Sequence, residues 1–233
     1  GPMARTVRDA ALMLGCMTGV DPADPATAAG AGQAHTDYTP FLDPEGLKGA
    51  RIGVATQYSR GHERVEALFA EALEVMRKAG AAVVDIPEVE AWRQMGRPSS
   101  TVMRYEFKAD LNAYLAGLGP AAPVRTLEEI IAFNETHAER EMPWFRQETF
   151  LASQEMGPLT DAAYAEALAE AMRLSRAEGI DRVMEEHTLD AIVAPTGSPA
   201  WTTDLINGDR FHMGSSSPAA ISGYPNICVP ILV

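Results

Sequence analysis

The chain has 233 residues, 46% of them hydrophobic, so it can bury a sizeable core, and its apolar runs are far shorter than the roughly 20 residues of a membrane-spanning helix. Its 19 Lys and Arg residues face 32 Asp and Glu residues, and the resulting net charge of −13 would repel a phosphate backbone. We therefore expect a globular protein with no membrane-spanning segment and no nucleic-acid partner.

The amino end shows no basic region followed by an apolar stretch, so no secretion signal is expected. Cys16 lies in a helical pattern and Cys228 in a strand-like pattern, and each is predicted to be a small buried hydrophobic residue. This cysteine usage suits a reducing compartment, and a cytoplasmic location is the expectation.

In chain order, residues 6–18 predict a helix because their apolar positions recur at helical spacing, and residues 21–46 predict a loop. Residues 51–55 and 82–86 predict strands on either side of an amphipathic helix that Gly80 ends. Residues 50–86 therefore form a predicted βαβ unit with parallel strands. The unit lacks the Gly-rich turn of a nucleotide-binding site, so no such site is predicted.

Residues 100–187 predict a mostly helical layer, in which Thr126 and Glu129 have the spacing of a capping box and Thr160-Asp161 opens a long helix. Residues 189–194 then predict a strand, residues 217–222 a short helix and residues 226–233 a closing strand. The alternation of strands and helices predicts an α/β fold, with a mixed, largely parallel sheet flanked by helices in one domain over residues 1–233.

The loop over residues 195–217 is the best local candidate for a binding site, because α/β sheets place their ligands beyond the carboxyl ends of their strands. The serines of the segment 214–217 offer backbone N–H groups and hydroxyls to an oxyanion or an amide. The alternative is that Ser216 or Ser217 is only an N-cap, since Pro218 follows in the favoured first helical position.

A complete active site is not predicted from these residues. His212 with Asp204 or Asp209 would complete a Ser-His-Asp arrangement, but neither the spacing nor a strained nucleophile turn supports it. The remaining histidines lack the spacing of metal ligands, so neither a metal site nor a cofactor is expected. The chain has three lysines in ordinary settings, and none is predicted to be a buried base: Lys48, Lys78 and Lys108.

Four segments carry a resemblance to the amidase signature family. Residues 1–11 (GPMARTVRDAA) resemble the segment after the family's signature region, residues 47–54 (LKGARIGV) its next strand, and residues 190–196 (DAIVAPT) a later strand. Residues 217–230 (SPAAISGYPNICVP) are similar to the family's AxxGxPxxxxP stretch. The four occur in the family's order, and residues 105–108, 133–135 and 201–205 resemble a bacterial subgroup that includes peptide-amidase-like enzymes.

The resemblance implies hydrolysis of a carboxylic or peptide amide to acid and ammonia, through a Ser nucleophile, a cis-peptide Ser and a Lys. These residues belong to a Gly/Ser-rich region expected upstream of Gly1, so we expect no catalytic residue here, a fold incomplete at both ends, and no activity of the isolated chain. The loop would then line the pocket for a small amide substrate. The candidate pocket residues are Trp201, Asp204, Asn207, His212, Gly214, Ser215, Ser216 and Ser217.

Two alternatives to a hydrolase portion remain open. The first is a non-catalytic binding or scaffold module, for which unpaired sheet edges, notably at residues 227–233, would promote self-association. The second is a subunit of a transamidase that transfers ammonia to a tRNA-bound amino acid. The acidic charge and the helical middle block argue mildly against the second.

Overall fold

The computed structural model of the chain describes residues 1–231, which contain three strands and ten α-helices. In chain order these are α1 (Val7–Met17), β1 (Arg51–Ala55), α2 (Glu63–Lys78), β2 (Ala82–Ile86), α3 (Glu90–Gln94), α4 (Gly96–Gly117), α5 (Leu127–Thr136), α6 (Ala138–Glu141), α7 (Glu148–Gln154), α8 (Ala162–Ser175), α9 (Asp181–His187), β3 (Ala191–Val193) and α10 (Ser217–Ser222). Short 3₁₀ turns occupy Pro25–Gly30, Thr39–Phe41 and Thr56–Tyr58, and a π-type turn, Arg176–Ile180, joins α8 to α9.

The three strands form one parallel sheet in the order β2-β1-β3. At its centre, Gly53 lies opposite Val84 on one side and Ile192 on the other. A β-carbon on Gly53 would lie 2.4 Å from Leu189 Cδ1 and 2.7 Å from Ile86 Cδ1. A side chain at this position would have to displace both of these groups, which close over the central strand.

The α/β fold and the parallel βαβ unit are confirmed, and β1 and β2 have the predicted bounds. The third strand is shorter than the predicted 189–194. At the start of the strand, Asp190 Oδ2 accepts the backbone N–H of Arg51 at 2.8 Å, so this N–H is not available to extend the ladder. At its end, Pro195 has no N–H to donate. All three strands of the sheet are parallel, and antiparallel pairing is limited to one isolated bridge in the described residues.

The core lies where the sheet meets α3, α8 and α9. Its largest fully buried side chains include Ile86, Val89, Leu174 and Val183, each 1–2% exposed. Trp92 of α3 packs among them at 5% exposure. Burying an aliphatic side chain of this size contributes about 1.5–3 kcal/mol, so this cluster holds the helices against the sheet.

The predicted helical layer is present over α4 to α9. Thr126 Oγ1 accepts the N–H of Glu129 at 3.1 Å and caps α5, as predicted. Glu129 Oε2 accepts the N–H of Arg125 at 2.5 Å, one residue before the position that a capping box would use. Asp161 precedes α8, but its side chain makes no cap hydrogen bond and accepts the Tyr105 hydroxyl at 3.3 Å.

Two sequence predictions are wrong in the described residues. The closing strand predicted over 226–233 is absent over 226–231, and residues 232–233 lie outside the described part of the chain. No strand of the described sheet runs beside this segment, so its backbone has no ladder to join. Cys16 and Cys228 are exposed, not buried, and α1 turns Ala11 and Gly15 inward in place of Cys16.

Within residues 1–231, no helix combines the length and the apolar character that a membrane crossing requires.

Candidate substrate-binding site

The loop after β3 folds back on itself above the carboxyl edge of the sheet. An isolated antiparallel bridge joins Gly197 to Gly214. Next to it, Ser198 N donates to Met213 O at 3.2 Å, and Ser215 N donates to Thr196 O at 3.3 Å. These bonds close residues 197–214 into a projecting loop, which we call the pocket arm.

The base of the pocket arm contacts the connection between β1 and α2. Met213 is 6% exposed, and its Cβ and Sδ lie 3.7 Å from the position of a β-carbon on Gly61. The segments that follow β1 and β3 therefore meet at the carboxyl edge of the sheet. The sequence predicts the second segment but carries no signal for the first, since Gly61 lies in a short polar stretch with no motif.

Two buried polar atoms near this base have no hydrogen-bond partner in residues 1–231. They are His62 Nδ1, next to Gly61, and Ser198 Oγ, next to the bridge. Unpaired buried polar atoms are uncommon in folded proteins. The sequence contains no signal for either, because His62 and Ser198 are isolated polar residues in loops.

Asp204 and Asn207 fold the tip of the pocket arm. The Asp204 carboxylate accepts the backbone N–H groups of Ile206 and Asn207, each at 2.9 Å, and Asn207 Nδ2 at 2.8 Å. The hydrogen bonds from Asn207 and then Ile206 hold the pKa of Asp204 below its ordinary value of 3.8. Both candidate residues are therefore engaged with each other in a turn.

Trp201 and Phe211 form an aromatic pair on the pocket arm. Trp201 Nε1 donates to Asp209 Oδ1 at 3.2 Å, and the two rings meet edge to face with centroids 6.4 Å apart. A β-carbon on Gly214 would lie 2.5 Å from Phe211 Cζ, so the ring lies directly over Gly214. Phe211 was not among the sequence candidates, although the turn-forming Asn207-Gly208 pair is a signal that the loop folds back.

The hydroxyls of the three serines 215–217 differ in their hydrogen bonding. Ser215 Oγ donates to Pro195 O at 2.8 Å, whereas Ser216 and Ser217 are exposed and their hydroxyls make no hydrogen bond within the described residues. Ser216 occupies the position before α10, as predicted, but its backbone is helical (φ −74°, ψ −24°) and its side chain does not cap the helix. Both hydroxyls are therefore open to a ligand.

No Ser-His-Asp arrangement is assembled in the described part of the chain. His212 is exposed and bonds to none of the candidate partners, while Asp204 is engaged by Asn207 and Asp209 by Trp201. Lys108 Nζ donates to the Gln154 and Met156 carbonyls at 2.8 and 2.6 Å, far along the chain from the serines, and the other two lysines are exposed. No cluster of His, Cys, Asp and Glu with a metal-binding arrangement occurs in residues 1–231.

Two surface grooves lie outside the pocket arm. One of ≈ 410 Å³ lies beside Phe133 of α5 and the following His137, and one of ≈ 390 Å³ lies beside Met142 and Leu151. Neither contains a residue of the loop 195–217. The candidate site at the carboxyl edge of the sheet consists of the pocket arm and the start of α10.

The sequence model of the Amidase family matches residues 1–232. The chain belongs to the amidase family. A probable amidase of Arabidopsis thaliana is 37% identical to it over 238 residues, which cover 99% of this chain and 41% of the plant protein. The solved structure of native peptide amidase from Stenotrophomonas maltophilia is 40% identical, with a TM-score of 0.83, and the match covers 96% of this amidase chain and 44% of that chain.

A third relative matches a shorter part. One of the subunits of the glutamyl-tRNA(Gln) amidotransferase of Desulfotalea psychrophila is 40% identical over 88 residues, which cover 37% of this chain and 17% of that protein. The resemblance inferred from four sequence segments is confirmed by the family match. This amidase chain spans less than half the length of the amidases it matches.

Proposed function

We propose that this chain forms the substrate-binding and scaffold portion of an amide hydrolase that converts a carboxylic or peptide amide to the acid and ammonia. The observation that carries the proposal is the pocket arm, in which Trp201 pairs with Phe211 and Phe211 lies over Gly214, just before the exposed Ser216 and Ser217 in the chain. The family membership supports amide hydrolysis as the reaction class.

Within the site, Ser216 and Ser217 are suited to hold an amide. Their exposed hydroxyls can donate to a substrate carbonyl or accept from its NH₂ group. Ser215 is suited to a fixed role, because its hydroxyl is already committed to the Pro195 carbonyl. The chain would therefore orient the amide without attacking it.

We further propose that the isolated chain does not hydrolyse amides. Hydrolysis needs a nucleophile next to a base, and no lysine or histidine of the described residues bonds to Ser215, Ser216 or Ser217. The Ser-Ser-Lys set that the family resemblance implies would come from the portion of the amidase fold that the longer relatives possess in addition.

Ammonia release from N-acetyl-phenylalaninamide tests this proposal, with the unchanged chain and three variants, Ser215→Ala, Ser216→Ala and Ser217→Ala. We expect release at the rate of buffer alone in all four samples, with the Stenotrophomonas peptide amidase as the positive control. Hydrolysis that disappears in one serine variant would show that the nucleophile lies in this chain.

The binding part of the proposal has its own test on the same protein. Titration of the ¹⁵N-labelled chain with N-acetylglycinamide should shift the backbone amide signals of Ser216 and Ser217. The matching carboxylate, N-acetylglycinate, should shift them less, because it has no NH₂ group to donate. Equal shifts with both compounds would contradict an amide site.

The second candidate function is that of a transamidase subunit, because relatives with that name match over 88 residues. The amidase relative matches 99% of the chain, which favours the hydrolase. A transamidase of this kind works beside a tRNA, whereas the net charge of −13 repels one. Retention of a labelled tRNA by the chain in a gel-shift assay at physiological salt would favour the second candidate.

A further inference from the structure

The aromatic pair on the pocket arm is exposed and yet held in place. Phe211 is 67% exposed and Trp201 is 39% exposed. The hydrogen bond to Asp209 orients the indole, and the contact with Gly214 locates the phenyl ring. The bridge between Gly197 and Gly214 then fixes both rings relative to the sheet.

Such an arrangement favours ligand binding. An exposed aromatic side chain usually loses rotational freedom when it binds a partner, and that loss weakens binding. Here part of the loss has already occurred on folding, because each ring has a fixed neighbour within the arm. A ring held with its outer surface free offers a large apolar contact area at low entropic cost.

The position of the pair relates it to the amide site. Phe211 covers Gly214, and Gly214 is followed directly by the serines 215–217. An amide held at Ser216 and Ser217 can direct the carbon next to its carbonyl group toward the pair. The contact partner of the pair is then the side chain that this carbon bears.

We propose that Trp201 and Phe211 form a specificity wall that binds an aromatic or large aliphatic side chain next to the scissile amide. The inference deepens the proposed function and rests on the pocket arm being part of an amide site. Amides with a large apolar side chain on the carbon next to the carbonyl group should therefore bind more tightly than amides with no side chain there.

Nuclear magnetic resonance of the indole N–H groups tests the wall in the ¹⁵N-labelled full chain. The chain has three tryptophans, and Trp201→Phe assigns the signal of interest. Titration with N-acetyl-phenylalaninamide should shift the Trp201 signal in a saturable manner, and N-acetylglycinamide should shift it much less at the same concentrations. The indole of Trp144, which is 66% exposed, is the internal control and should stay unchanged.

Two matched variants separate the wall from general hydrophobic contact. Phe211→Ala should weaken binding of N-acetyl-phenylalaninamide by roughly 2- to 10-fold, the range expected for the loss of one aromatic pair. Phe145→Ala removes a phenyl ring with the same exposed fraction of 67% at a distant loop and should leave the affinity unchanged. Equal effects of the two variants, or equal shifts of the Trp144 and Trp201 signals, would overturn the wall.

The remaining outcomes distinguish the wall from the proposed function. If toluene, which has no amide, shifts Trp201 as strongly as N-acetyl-phenylalaninamide and Ser216 does not respond to N-acetylglycinamide, the pair is an apolar surface unconnected with an amide site, and both proposals fail. If Ser216 responds to both amides alike and Trp201 to neither, the amide site holds and the wall fails. If Phe211→Ala changes only the sedimentation of the chain, the pair is a protein interface and the wall is wrong.

Discussion

Asp204 gives the pocket arm its shape through a single carboxylate that accepts three hydrogen bonds. Because these bonds favour the ionised form, the pKa of Asp204 is lowered in the folded arm. A group with a lowered pKa stabilises the folded form above its ordinary pKa and loses this contribution as the pH falls through the lowered value. The turn at the tip of the arm should therefore hold at neutral pH and loosen in acid.

We predict that the backbone amide signals of Ile206 and Asn207 titrate together, with a midpoint below the ordinary value of 3.8, as the arm is acidified. Below that midpoint their protection from hydrogen exchange should fall. In Asp204→Asn the same signals should show no such titration, because an amide has no proton to gain in this range. A midpoint at or above 3.8 in the unchanged chain would contradict the role assigned to Asp204.

Residue types in the sequence indicated which loop to consider but not the contacts within it. The sequence named Trp201, Asp204 and Gly214 as candidate pocket residues because they lie in a polar loop, and all three belong to the pocket arm. Phe211 could not be assigned, because its role arises from packing on Gly214 after the loop closes. The burial of Cys16 was predicted from helical spacing alone, whereas the contact of Gly15 with the backbone of residue 36 decides which side of α1 faces inward.

Helix α10 presents Ser217 to the site, and its other end is held by Arg176 of the π-type turn. Arg176 Nε and Nη2 donate to the Ser222 carbonyl at 2.8 and 2.5 Å, and the guanidinium lies 5.3 Å from the centroid of the Tyr224 ring. A cation at a helix C-terminus also interacts favourably with the helix dipole. Arg176 therefore links α10 to the helical layer.

We predict that Arg176→Ala lowers the free energy of unfolding by about 1–2 kcal/mol, since charge-assisted hydrogen bonds are lost from a partly exposed site. Arg176→Lys should recover only part of this, because an ammonium cannot replace the planar fork of the guanidinium. Urea unfolding followed by circular dichroism measures both changes.

Arg182→Ala is the control. Within the described residues Arg182 contacts Glu186 and the Glu178 carbonyl, which are exposed and close in sequence, so its loss should lower the free energy of unfolding by less than about 0.5 kcal/mol. Similar losses for Arg176→Ala and Arg182→Ala would show that Arg176 makes no special link.

Helices and strands could be predicted where the residue pattern within the segment decides the structure. β1 and β2 are short apolar runs between turns, and α10 follows a Ser-Pro start, so their bounds agree with the structure. The strand predicted over 226–233 has the right pattern, with apolar residues at every second position, but a strand also needs a neighbour. Whether these residues form a strand depends on pairing with a segment distant in sequence. The spacing of apolar residues within the segment carries no information about that pairing.

At the scale of the whole molecule, residues 226–231 remain an apolar segment on the surface. Ile227, Val229 and Ile231 are 68%, 53% and 40% exposed, and they alternate with other residues as on one face of a strand. Exposed apolar segments of this kind mark surfaces that bind another chain. The self-association considered from the sequence is therefore the behaviour to test on the purified protein.

We predict concentration-dependent association of the chain in sedimentation velocity experiments. Association should increase with salt, because the net charge of −13 repels a second copy and salt screens that repulsion. Val229→Ser should weaken it, whereas Val75→Ser, which removes a similarly exposed valine (63%) from α2, should not. If the chain stays monomeric at every salt concentration, or if both serine variants behave alike, residues 226–231 are not an association surface.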